Sequence, residues 1–249
     1  MWIDFHTHTK MSKKLEFSMD YFHKMIRSAR RNGLDALALT EHFNTLHYSR
    51  IYETLDRHYP YKHDYYDVDG FKVFTGMEID IIETGHILLI GNKAQIRVIH
   101  DKFADRLEKP RFPTFDEVLD TADSFAVLKI GAHPTRNSTP LLHLGEERLR
   151  RFDAFDLNGK DLAKQPDTQA RLSELGAKLG KPVVCGSDSH LPIQFGCVRN
   201  RLFRDCLTAE DIRRCLQERS YEISVSSYAS LKVFAARMTK RAMKLAGQC

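Results

Sequence analysis

Cysteine is scarce in this chain. Cys185, Cys197, Cys206, Cys215 and Cys249 are the only five among 249 residues. Their number is odd and no two stand in a CxxC spacing, which excludes a disulfide framework and a zinc finger and favours a reducing compartment. No apolar run approaches the ~20 residues that a membrane span needs. Internal repeats, low-complexity tracts and linker-like stretches are missing as well, so a single domain is the simplest organisation. Neither sign of charge dominates: 38 Lys and Arg against 33 Asp and Glu leave +5. The basic residues are spread along the chain rather than gathered in a stripe, so nucleic acid is the less favoured partner. The chain starts almost directly in a strand-like segment, which leaves no room for a signal peptide. The expectation is a soluble, cytoplasmic protein with no membrane partner; oligomeric state is not legible.

What is present is an alternation of short apolar runs with amphipathic helical segments. A strand is read over 1–5, and a helix follows from a Ser18 N-cap to about Asn32, with Phe22, Met25, Ile26 and Ala29 on one face. Residues 34–39 read as the second strand and 43–58 as an irregular helix. The stretch 59–70, rich in Tyr, Asp and His, reads as a surface loop. Strands at 71–75, 126–130, 154–157 and 183–185 follow. Residues 79–82 and 86–90 flank Glu83-Thr84-Gly85 as a hairpin. Thr114 to Glu117 reads as a capping box. A basic helix at 228–245 ends the chain. About seven strand–helix units imply an α/β fold whose mostly parallel sheet closes, or nearly closes, into a barrel.

The apolar runs share one ending. His6-Thr7-His8, Thr40-Glu41-His42, Gly76-Met77-Glu78, Gly131-Ala132-His133 and Gly186-Ser187-Asp188-Ser189-His190 each close a strand with imidazole or carboxylate, and the hairpin returns His86 toward Glu78. In a barrel those strand ends meet at one mouth. Eight such groups in one cavity are electrostatically costly unless metal ions hold them. The His and carboxylate mixture suits zinc, manganese or iron rather than calcium, and eight ligands exceed one tetrahedral site. His23, His47, His58, His63, His100 and His143 read as ordinary core or surface residues, with His47 the first exception to consider. Glu41 reads as a residue that orients a ligand imidazole.

These motifs, in this order and spacing, resemble the PHP (polymerase and histidinol phosphatase) family from residue 3 to about residue 198. The resemblance implies a distorted, TIM-like (β/α)7 barrel, with a hydrolase domain over 1–198 and a C-terminal helical extension over 199–249 packed on it. It also implies a metal-dependent phosphoesterase with two or three divalent ions (Zn, Mn or Fe). Carried over, His6, His8, Glu78 and Asp188 would hold one metal; Glu78, His86 and His133 a second; His42 and His190 a third. The further His or Asp that many members place after the first motif is replaced here by Lys10-Met11-Ser12-Lys13-Lys14. Lys13 or Lys14 is therefore a candidate ammonium at the third position.

The expected chemistry is attack of metal-activated water on a small phosphorylated substrate, with Asp188 or His190 moving the proton. Arg136 is the first candidate to grip the phosphate, followed by Lys160 and Arg199. Three alternatives stand beside this reading. A C–N amidohydrolase would use the same metals, with Lys129 as the lysine to consider. A nuclease acting on nucleic-acid ends would need a basic and aromatic track, for which Tyr59 to Tyr66 with Lys62 is the candidate. A metal-binding module without catalysis is the third.

Overall fold

A computed structural model describes residues 1–246; Cys249 lies outside them. The strands are β1 (Trp2–Thr7), β2 (Ala36–Leu39), β3 (Tyr61–Lys62), β4 (Tyr65–Val68), β5 (Phe71–Asp80), β6 (His86–Ile90), β7 (Leu128–Gly131), β8 (Ala154–Asn158), β9 (Val183–Gly186), β10 (Val198–Leu202) and β11 (Tyr221–Val225). The helices are α1 (Met19–Arg31), α2 (Tyr48–His58), α3 (Lys93–Lys102), α4 (Phe115–Ala122), α5 (Glu146–Leu149), α6 (Gly159–Leu162), α7 (Thr168–Leu179), α8 (Ala209–Gln217) and α9 (Ala229–Leu245). Local chemistry accounts for several boundaries. The Ser18 side chain accepts from the Tyr21 amide at the start of α1, Thr114 and Glu117 form the capping box of α4, and Gly180 ends α7 in the left-handed conformation.

The sheet runs β1-β2-β5-β6-β7-β8-β9, with β10 and β11 continuing outward from β1. Along β1 to β9 pairing is parallel except at β6, the hairpin strand, which is antiparallel to β5 and β7; β10 and β11 are added antiparallel beyond β1, and β3 and β4 antiparallel beside β5. The ends approach across a short seam: the Asp188 amide donates to His6 O at 2.8 Å and the His8 amide to Ser189 O at 2.9 Å. Below it, the buried Asn200 amide ties β9 to β1 by bonding Cys185 N, Cys185 O and Ile3 O at 2.7 to 3.0 Å. The result is a nearly closed, seven-strand barrel. Ile3, Phe5, Phe74, Leu88, Ile130 and Val184 fill its interior, and α8 plugs the bottom with Ala209, Ile212, Cys215 and Leu216. A second core lies between the barrel and its helices.

Three sequence expectations need correction. Residues 59–70 form the β3–β4 hairpin, because Tyr65, Tyr66 and Val68 are buried against β5. The irregular helix begins at Tyr48 rather than Phe43. The C-terminal extension is not only helical. Residues 198–202 alternate buried and less buried positions at the strand period, so β10 pairs with β1 and carries β11 on its outer edge. No helix among the described residues is long and apolar enough to cross a membrane.

One irregularity decides where the chemistry points. Ile3 faces Ala36 and Asp4 faces Leu37, but Thr7 faces Leu39, so β1 carries one residue more than β2 over this stretch. This β-bulge shifts the alternation. Ile3 and Phe5 lie in the barrel interior below it, and His6 and His8 turn inward above it. Asp4 Oδ1 accepts from the His6 amide at 3.2 Å and the Ser187 amide at 3.0 Å, so one buried carboxylate holds both the bulge and the closing strand. Burial pushes the Asp4 carboxyl up to about 7, against those bonds. The raised value means the folded chain holds this proton while the unfolded chain has lost it, so stability falls as pH rises from about 4 to 7. Asp4→Asn keeps the accepting oxygen and removes the charge. In chelator-treated protein, the urea-unfolding free energy of Asp4→Asn relative to wild type is expected to rise between pH 4 and 7 and to level off above that. Asp4→Ala leaves two buried amides without acceptors and is expected to cost about 2–4 kcal/mol at every pH.

Candidate metal centre

The strand ends deliver the expected side chains to one place. His6, His8, Glu78, His133 and Asp188 are buried at the barrel mouth, with His42 and His190 at 8% exposure. Potential ligand atoms come within 4.8 Å of one another in three groups: His6, His8 and Asp188; His6, Glu78 and His133; and His8, His42 and His190. His86 stands beside these groups rather than in one. Its Nδ1 is 2.5 Å from Glu78 Oε1 and its Nε2 is 3.0 Å from Asp80 Oδ1. Gly186 leaves the room the cluster needs: a Cβ there would lie 2.3 Å from His6 Cβ. Two of the contributing backbones are strained. His133 and Asp188 have φ of 33° and 51°, a region that non-glycine residues seldom enter except where function holds them.

Residues behind the imidazoles fix which nitrogen faces inward. His6 Nδ1 donates to Asp156 Oδ2 at 3.0 Å and His8 Nδ1 to Glu41 Oε1 at 3.3 Å. His133 Nδ1 meets Thr139 Oγ1 at 3.3 Å, and His190 Nδ1 donates to Asp188 O at 3.2 Å. His86 Nε2 is committed to Asp80, so its Nδ1 is the nitrogen on the Glu78 side. Inside the cavity, His6 Nε2, His8 Nε2 and His133 Nε2 are buried without a hydrogen-bond partner, and His42 Nδ1 and Glu78 Oε2 meet only each other, at 2.7 Å. Lone pairs converging without donors are what a cation requires. The residues present therefore fit divalent metal ions.

The charge distribution agrees. Burial drives His42 down to about 4, helped by the charges on His8 and Lys13 and opposed by Glu78. Burial also takes His133 and His190 well below the usual histidine range. All three are neutral, the form that ligates. His6, His8 and His86 are the opposite case: burial would lower them, but Glu78 and Asp188 raise His6, Asp188 and Glu41 raise His8, and Glu78 and Asp80 hold His86 up at about 9. Burial would raise Asp188, but Lys160, His6 and Arg136 keep it an anion.

The proposed phosphate ligands separate. Arg136 lies at the centre, its Nε 3.0 Å from both Asp161 oxygens and its Nη1 3.1 Å from Asp188 Oδ2, while Nη2 is buried and unpartnered. Lys160 Nζ is 2.8 Å from Asp188 Oδ1. Lys13 reaches the rim, with Nζ 2.9 Å from Asp80 Oδ2. Lys14 does not: it is exposed in a turn and forms no ion pair among the described residues. Arg199 is corrected as well. Its guanidinium stacks on Trp2 at 4.1 Å and bonds Asn32 O, at the opposite end of β1 from His6 and His8. Lys129 pairs with Asp123 outside the barrel. His47 pairs with Glu16 at the surface, and His100 stacks on Tyr48 beside α2. Asp156, Asp80 and Asp161 were not anticipated. A lone Asp in the apolar run Ala154-Phe155-Asp156-Leu157 was the available signal for the first.

Comparison with known proteins decides the family. The PHP domain profile matches residues 4–150, more than half of the chain. The chain belongs to the PHP domain family. It is accordingly a PHP-type phosphoester hydrolase that works with divalent metals. No curated protein matches the chain. Among solved structures it resembles PsfC from Pseudomonas syringae PB-5123, with 21% identity, TM-score 0.78, and 97% of this chain and 98% of that one covered. It also resembles the lesion-specific endonuclease PfuEndoQ from Pyrococcus furiosus, with 21% identity and TM-score 0.67; the match covers 90% of this chain but only 58% of the endonuclease. At these identities the likeness is one of fold, and both align along this PHP chain well past residue 150.

Removing a carboxylate that holds a ligand imidazole costs metal affinity typically 10–100-fold. Asp156→Ala is expected to lose Mn or Zn affinity by about that factor in chelator competition, without unfolding. Arg199→Ala should retain full metal affinity.

Proposed function

We propose that the chain hydrolyses phosphomonoesters of small metabolites at this centre. The observation that carries the reading is Arg136. Two of its guanidinium nitrogens are fixed by Asp161 and Asp188, and the third, Nη2, is buried at the metal cluster with nothing to bond. A pre-aimed, desolvated donor of that kind fits a phosphoryl oxygen and stabilises it as charge develops. Asp161 fixes the fork, so little order is lost when substrate arrives.

The centre would be held by His6, His8, Glu78, His133 and Asp188, with His86, His42 and His190 at its edge. Metals bound there would acidify a water and neutralise phosphoryl oxygens. The chain's own residues divide the remaining work. Arg136 orients the phosphoryl group. Lys160, beside Asp188, adds a positive charge on the same side. Asp188 is too strongly held as an anion by Lys160, His6 and Arg136 to carry a proton well. Burial likewise keeps His190 neutral at the cavity wall, so neither group takes up a proton readily in this cavity.

Two other readings fare less well. Lys129, the strand lysine considered for a bridging carboxylated lysine, pairs with Asp123 instead. The aromatic track that a nuclease would use is packed away: Tyr66 is buried with its hydroxyl on Asp56, Tyr61 bonds Thr75, and Lys62 pairs with Asp67.

The metal-loaded protein is expected to hydrolyse p-nitrophenyl phosphate and to stop when the metal is chelated. Arg136→Lys keeps a cation but not the fork, and is expected to lower kcat/KM by about 10²–10³ with metal content retained. Turnover of amides or lactones without any phosphate ester would overturn the reading.

A further inference from the structure

Beside the metal centre, on the side of His190, a pocket opens between α6, the 3-10 turn at Pro192–Gln194 and α9. His190 and Gln194 form its inner end, and Leu191, Val233 and Ala236 give it an apolar floor. Its walls are basic: Lys160 and Lys164 on one side, Arg237 and Lys240 on the other. From its reading as a phosphomonoesterase, the structure assigns to this pocket a second phosphoryl group of the substrate, carried on a carbon skeleton that lies over the apolar floor.

Several observations support the assignment. The pocket is built by α9, and the place of α9 is fixed. Small and branched side chains, Ala229, Val233 and Ala236, are buried on its inner face. Lys232 Nζ bonds Phe195 O at 2.7 Å and Asn32 Oδ1 at 2.5 Å. The helix carries five cations, Lys232, Arg237, Lys240, Arg241 and Lys244, and no acidic residue. Lys164 and Arg237 have no carboxylate partner among the described residues. Asp188, the carboxylate at the inner boundary, is already shared by Lys160 and Arg136. Positive charge from Lys164 and Arg237, offset by no carboxylate of their own among the described residues, concentrates anions in a concave site. Lys160 stands where the two compartments meet, since it reaches Asp188 and also lines the pocket. A substrate with one phosphate at the metals and another between Lys164 and Arg237 would use both compartments. A simple monoester would leave the outer cations unused.

The test uses the metal-loaded full chain and two probes that differ by one phosphate, fructose 1,6-bisphosphate and fructose 6-phosphate. Affinity is read by calorimetry and, independently, by competition with p-nitrophenyl phosphate. Wild type is expected to bind the bisphosphate about tenfold more tightly, the worth of one charge-assisted contact. Lys164→Ala/Arg237→Ala should reduce that preference to less than about threefold while leaving fructose 6-phosphate affinity and p-nitrophenyl phosphate turnover unchanged. Arg237→Lys, with Lys164 intact, should keep most of the preference. Both positions are exposed, and an unchanged thermal midpoint verifies the fold. Equal affinities in wild type, or a preference that survives the double substitution, would overturn the subsite. Turnover of p-nitrophenyl phosphate without the preference removes the subsite alone. The preference without any phosphate-ester turnover removes the hydrolytic reading and leaves the subsite in place.

Discussion

The site depends on one extra residue in β1. A strictly alternating strand that buried Ile3 and Phe5 in the barrel would send His6 and His8 to the outer face. The bulge between Asp4 and Thr7 lets apolar core and metal-ligating imidazoles occupy the same interior. Asp4 makes the bulge tenable by bonding the displaced His6 amide and, with the same oxygen, the Ser187 amide of the strand end across the seam. Barrel closure and imidazole direction therefore share one buried group. The carboxylate is costly to bury, as its raised pKa records. The same logic recurs at Gly186, where the absence of a side chain is what admits His6.

Above the bulge the architecture is a set of concentric constraints. Apolar side chains from β1, β5, β6, β7 and β9 fill the lower barrel, and the same strands carry their polar groups within four residues of them. Five inward imidazoles are held from behind, His6 by Asp156, His8 by Glu41, His86 by Asp80, His133 by Thr139 and His190 by a carbonyl. Tautomer and ring direction follow from these contacts. Left without cations, the interior is a group of buried lone pairs, which a fold does not collect for stability.

Much of this was legible in the sequence because strand ends advertise themselves: an apolar run stopped by His, Glu or Asp is read directly, and the hairpin turn at Glu83 to Gly85 returns His86 to the Glu78 strand. The barrel and its hydrolytic family followed from the order of those endings. The bulge was not legible, since pairing register depends on a neighbouring strand distant in sequence. Asp156, Asp80 and Asp161 were missed for a related reason: their roles arise from the His6, His86 and Arg136 side chains they meet, 150, 6 and 25 positions away. The placement of Arg199 failed because a cation following a site motif can lie on either end of its strand, and here aromatic stacking on Trp2 decides. The β10 strand was masked by its two arginines, which occupy the less buried positions of an otherwise regular alternation.

The three ligand groups are not equal. Two contain a carboxylate, Asp188 in one and Glu78 in the other, whereas His8, His42 and His190 contain none. A divalent cation held by three imidazoles receives lone pairs but no compensating negative charge within its group. The surroundings of that group add to the difference: Lys13 acts on His42, and Lys160 and Lys240 act on His190, all with positive sign. Coulomb energy inside a buried cavity is screened far less than in water, so these charges weigh against a third cation where they would be negligible at the surface. The loop that offers Lys13 in place of a further His or Asp thus supplies positive charge without a metal.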